Sequence, residues 1–165
     1  MTGTTFTGTR AKSGFPAAAN GPAMNLKVAT GTYEITANPT AADIYEICKV
    51  PAGAVVVAGW LYGDDLDTGT ESLDLDVGWK ANADEVTDTD GFGNLGLLSG
   101  DAVTDIKPEV SIWYPLGGVL RTAGPKRFTQ DTVLQVYCNT TAATGGTGTL
   151  TLVVLYFMDP AYVVT

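Results

Sequence analysis

The sequence predicts an all-β protein: an antiparallel β-sandwich or jelly roll of about eight strands with an extended N-terminal arm. Three observations lead there. The chain is rich in Gly (20 residues), Thr, Val and Tyr and poor in Glu and Lys, a composition that favours strands and turns over helices. Its apolar residues alternate in short runs divided by Gly and Pro, the period of a pleated strand. No long segment carries the 3.6-residue period of an amphipathic helix. At 165 residues and 17.2 kDa the chain fits one core and is too short for two.

Residues 1–25 consist of Gly, Ala, Thr, Ser and Pro around Phe6, Phe15 and Met24, too little apolar surface to fold alone. Either they form a disordered tail, or they form an arm that orders against the body or a neighbouring chain. The isolated phenylalanines favour the arm. The β-sandwich domain is assigned to 26–158 and a C-terminal tail to 159–165. Leu26–Ala37 alternates around Val28, Tyr33 and Ile35, with Gly31 expected at a bulge, and Asn38-Pro39 ends it. Asp43–Val50 sets Ile44, Glu46, Cys48 and Val50 on one face and Tyr45, Ile47 and Lys49 on the other. After the Pro51-Ala52-Gly53 turn, Ala54–Tyr62 reads as a strand buried on both faces. Leu73–Trp79 alternates strictly, with Leu73, Leu75, Val77 and Trp79 inward and Asp74 and Asp76 outward. A loop-rich stretch runs from Lys80 to Pro108, with a helical turn expected near Leu95–Leu98. Val110–Tyr114, Leu116–Thr122, Thr132–Asn139 and Gly148–Met158 complete the strands, and Thr140–Gly146 reads as a hairpin loop.

Composition excludes several functions. Nine bases against 18 acids give a net charge of −9, which repels phosphate and argues against nucleic acid as a partner. The absence of histidine removes the usual general base, the Ser-His-Asp and Cys-His arrangements and His-containing zinc sites. The chain is therefore read as a non-enzyme that needs no cofactor. The longest strongly apolar run, Leu152–Met158, has a strand's length and not that of a membrane span, so no membrane partner is expected. Residues 1–25 lack the apolar stretch of a secretory leader. Cys48 and Cys138, each inside a strand, read as buried free thiols, with a bridge between adjacent strands left open.

The acidic charge is concentrated. Asp64–Asp105 holds ten Asp and two Glu against Lys80 alone, leaving the rest of the chain slightly positive. A solvated outer face is the plainest reading. A divalent-cation site, a hydrolytic carboxylate pair and a dock for a basic partner are the others. Asp88-Thr89-Asp90-Gly91 looks like the centre of an EF-hand loop, but its first ligand position falls on Val86 and its twelfth on Leu97, which excludes that motif. An irregular calcium loop of Asp84, Asp88, Asp90 and Asn94 remains a candidate. Gly91, Gly93 and Gly96 match a dinucleotide-binding spacing without the helix or acid that it needs, and are read as chance. Trp60, Trp79, Trp113 and Tyr114 are assigned to the core first, with a sugar-binding platform as the alternative.

The run from Asn38 to Trp79 carries a family likeness. The strand–turn–strand Asp43–Ala54, the Asp65–Gly69 and Leu73–Gly78 hairpin, Thr89–Phe92 and the last strand Gly148–Tyr156 resemble the pattern of tailed-bacteriophage capsid decoration, or head cement, proteins. Those are small β-sandwich virion proteins encoded near the major capsid protein. The resemblance implies a sandwich on the outer surface of the capsid, a homotrimer at quasi-symmetric junctions, and the major capsid protein and other copies of itself as partners. The arm lies outside the matching pattern. An acidic body suits the outside of a shell better than an interior of packed phosphate. Phe6, Phe15, Tyr162, Val163 and Val164 are the expected partner contacts, being apolar residues on tails that need none for folding. The alternative function is a carbohydrate- or receptor-binding module of a phage tail or fibre.

Overall fold

A computed structural model describes residues 25–64, 66–67, 72–97, 112–144 and 146–159. The chain forms two antiparallel sheets packed face to face. One contains β1 (Lys27–Ile35), β9 (Gly148–Met158), β3 (Ala54–Gly63) and β6 (Ile112–Pro115) in that order, with the two-residue β7 (Lys126–Arg127) also pairing β3. The other runs β2 (Ile44–Val50), β8 (Thr132–Thr140), β4 (Asp74–Trp79), β5 (Asp88–Leu97). One helical turn, α1 (Val119–Thr122), joins β6 to β7. The all-β sandwich read from composition and alternation is the observed architecture.

Period-two alternation explains the core. Leu75, Val77 and Trp79 from β4 and Leu134, Val136 and Cys138 from β8 face Val56 and Leu61 of β3 and Leu150, Leu152 and Val154 of β9. Phe92 and Phe128 close one end of this layer. Both rings meet Trp79 edge-on, at centroid distances of 5.2 and 5.4 Å. The Lys126 ammonium caps them, 4.6 Å from the Trp79 ring centre and 2.8 Å from Glu85.

Several local expectations are corrected. Leu95–Leu97 belong to strand β5 and not to a helical turn, and β5 lies inside what reads as loop. Its glycines mask it: Gly91 leaves room for the Trp79 ring, where a Cβ would stand 2.2 Å from the indole. Leu116–Thr122 contains α1 and no strand. β8 and β9 lie in different sheets, so Thr140–Gly146 crosses the sandwich and is no hairpin. Gly31 pairs with Leu152 in an unbroken register, and the bulge falls instead in β2 between Glu46 and Cys48. That extra residue switches faces: Tyr45 points into the core with Ile44 and Glu46 outside, and beyond the bulge Val50 returns inward. β3 is buried mainly on one face, with Val55 and Val57 half-buried on the other.

Candidate functional site

The acidic segment does not gather as its spacing implies. Asp84 lies in the loop before β5, where its carboxylate accepts hydrogen bonds from the Thr129 hydroxyl and, at 3.1 Å, from Gln130 Nε2. Those two donors hold its carboxyl below the ordinary value. Asp88 opens β5 opposite Trp79. Burial first, and then the hydrogen bond and charge of Asp90, push its carboxyl up. Asn94 lies opposite Asp76, and its side chain is outside the described residues. Among the described residues, no group of three or more Cys, Asp or Glu is placed to hold a metal ion.

Asp74 and Asp76 do point away from the core, as alternation requires, yet they are not solvated. They are 8% and 4% exposed. β4 is an inner strand, flanked by β8 and β5, so neighbours on both sides crowd its outer face. Asn139 Nδ2 donates to Asp74 Oδ2 at 2.9 Å, while the Oδ1 atoms of both carboxylates are buried without a partner. Burial, then the charges of Asp74 and Asp90, push the Asp76 carboxyl up to about 6. Part of the acidic segment is therefore an internal electrostatic load and not a solvated face.

Asp67 is buried too, but its carboxylate is satisfied by hydrogen bonds that hold it below the ordinary value. Its Oδ2 accepts from the backbone N–H of Ser72 (2.6 Å) and Leu73 (2.9 Å), and its Oδ1 accepts from that of Thr144 (3.0 Å). One carboxylate thus ties the approach to β4 to the β8–β9 crossing. The aromatics divide similarly: Trp79 is core, whereas the side chain of Trp113 lies outside the described residues. Cys48 and Cys138 are both free thiols, Cys138 buried and Cys48 half-buried.

Among the described residues, one surface open to a partner is not signalled by the sequence. β1 and β2, the end strands of the two sheets, lie side by side along one flank of the sandwich. Four exposed large apolar residues are on this flank or its entry: Leu26, Val28, Tyr33 and Ile44. Tyr33 is 43% exposed and Ile44 52%. Two adjoining hollows share these two side chains. One, of about 280 Å³, is also lined by Ile35, Asn38, Asp43 and Tyr45. The other, of about 480 Å³, is also lined by Glu46, Lys80, Thr87 and Gln135. The Tyr33 and Tyr45 rings pack with centroids 5.2 Å apart and form the wall of the first hollow. Simple alternation puts Ile44 on the same face as Val50, and only the bulge between them leaves Ile44 exposed while Val50 is buried. The expected partner contacts, Phe6, Phe15, Tyr162, Val163 and Val164, all lie outside the described residues.

No family model matches the chain, and no curated protein matches it. Solved structures do. A chain of the Helicobacter pylori bacteriophage KHP30 capsid in its acidic stable form has a TM-score of 0.53 at 18% identity, covering 81% of this chain and 87% of that one. A chain of the Ralstonia phage GP4 capsid has a TM-score of 0.60 at 21% identity, covering 88% and 93%. A chain of the cyanophage Pam1 capsid asymmetric unit has a TM-score of 0.65 at 26% identity, covering 90% of this chain and 96% of that one. Over nearly its whole length, therefore, the protein shares its fold with chains that stand in three phage capsids.

Proposed function

We propose that the protein is a structural, non-enzymatic virion protein that decorates and stabilises a bacteriophage capsid. It would do so from the outer surface, by binding the major capsid protein and neighbouring copies of itself as a homotrimer. The observation that carries this reading is the likeness to the Pam1 capsid chain, which spans 90% of this chain and 96% of that one. The composition supports the same reading. The chain lacks histidine, and its charge is of the sign that packed nucleic acid repels.

The mechanism is mechanical. A shell presents the same junction many times, so weak apolar contacts repeated over many copies sum to a large stabilisation. Purified protein added to capsids stripped of it should rebind, appear as density on the outer face at threefold junctions, and raise the temperature at which the shells burst. Protein that leaves the shells unchanged would remove the decoration reading. Density on the tail or a fibre would put the receptor-binding alternative in its place.

A further inference from the structure

The flank formed by β1 and β2 carries exposed apolar side chains beside two open hollows. Within one chain Tyr33 and Ile44 stay about half exposed beside two hollows with room for an aromatic side chain. Surface of that kind on a small soluble domain marks a place where something docks. The chain carries a fitting occupant. Residues 1–24 hold Phe6 and Phe15 as their aromatic residues, and Arg10 and Lys12 with no acid. The remainder of the chain carries the other seven bases and all 18 acids, which is +2 for the arm against −11 for the rest. Asp43 and Glu46 stand in the walls of the hollows, and Lys80 pairs with Glu46 at 2.6 Å, so the rim keeps one net negative charge.

Reach brings a neighbouring copy's flank within range of the arm, as well as its own. Twenty-four residues span up to about 80 Å when extended, roughly twice the diameter of a body of this size. The arm leaves the body at Leu26, at the start of β1, whereas Tyr33 lies seven residues along that strand. We propose that the hollows at Tyr33 and Ile44 receive the N-terminal arm of a second copy of this chain, with Phe6 or Phe15 as the buried anchor and Arg10 and Lys12 facing the acidic rim. This rests on the reading above that the protein works as one of many copies on a shell, and it names the surface through which those copies grip one another.

The test uses the full chain in solution, away from capsids. A photoreactive benzoylphenylalanine replaces Phe6 or Phe15 in protein mixed from ¹⁴N- and ¹⁵N-labelled batches, and cross-linked peptides are mapped by mass spectrometry. Cross-links joining either position to the segment from Tyr33 to Glu46 in mixed-isotope pairs are the expected result. Ile44→Asp should lower their yield at least tenfold with the circular dichroism unchanged, because position 44 is exposed and carries no core packing. Raised salt should lower it as well. Cross-links confined to one chain, directed to another surface, absent, or unaffected by Ile44→Asp would overturn the proposal. Capsid rebinding of the unmodified protein is scored separately. A lost cross-link with intact rebinding removes the arm site alone, and an intact cross-link without rebinding removes the decoration reading alone.

Discussion

Gly31 in β1 lies directly against the carbonyl of Ile47 in β2, so that a Cβ at position 31 would stand 1.9 Å from that oxygen. Ile47 is the residue that the β2 bulge adds, and the bulge carries its carbonyl toward the neighbouring sheet. The pair seams the two sheets along the flank that also holds Tyr33 and Ile44. Gly31→Ala cannot be accommodated by turning a side chain, because the clash is with backbone. The expected cost is about 2–3 kcal/mol, read as a fall of several degrees in melting temperature and a rise in exposed apolar surface by dye binding. An unchanged melting temperature would mean that the seam is looser than this.

Asp76 should make the protein less stable as pH rises. Its carboxyl titrates near 6 in the folded protein against 3.8 in the ordinary state, so the folded form holds a proton that the unfolded form has already lost. Its contribution is complete below about pH 4 and disappears as pH climbs through 6. The difference amounts to about 2–3 kcal/mol. Asp76→Asn should therefore raise the melting temperature at pH 8 and have little effect at pH 4. Equal effects at both values would show that the carboxylate is solvated after all.

Asp67 should behave in the opposite sense. Burial alone would raise its carboxyl, but the backbone N–H groups of Ser72, Thr144, Leu73 and Ala143 together hold it below 3.8. Its contribution is present above that value and is lost as pH falls through the folded value. Asp67→Asn removes an acceptor from buried donors. It should cost at least about 2 kcal/mol at neutral pH, or roughly 4–8 °C in melting temperature for a domain of this size. The gap between the variant and the parent should close in strong acid.

Cys48 and Cys138 should react slowly while the protein is folded. Burial pushes both thiols up to about 11, and for Cys138 the charges of Asp43, Asp74 and Asp76 add to it. Since the thiolate is the reactive form, the shift from 9.0 slows alkylation at pH 8 about a hundredfold. Both cysteines should label together on adding denaturant. Rapid labelling of native protein would place them nearer the surface.

The strands that carry the sandwich were legible because alternation is a local property. β4 shows it strictly, and β2, β3, β8 and β9 show as short apolar runs bounded by turn residues; the positions of all five agree with the reading to within a residue or two. β5 was not legible. Its glycines dilute the pattern, and what each admits, such as the Trp79 ring beside Gly91, comes from a distant part of the chain. The fate of Asp74 and Asp76 was half legible: their direction follows from period two, while their burial follows from β4 lying between β8 and β5.

The flank with the two hollows was the least visible feature. Tyr33 and Ile44 belong to different strands of different sheets, and they share two hollows only because β1 and β2 close the same side of the sandwich. By itself, then, the sequence determined an acidic, histidine-free, all-β chain with a basic, sparsely apolar N-terminal segment, since composition and period need no partner to be read. The tertiary structure alone decided which sheet each strand joins, which acids are buried and which apolar residues stay open. Those properties depend on contacts between residues far apart in the chain, and no local pattern encodes them.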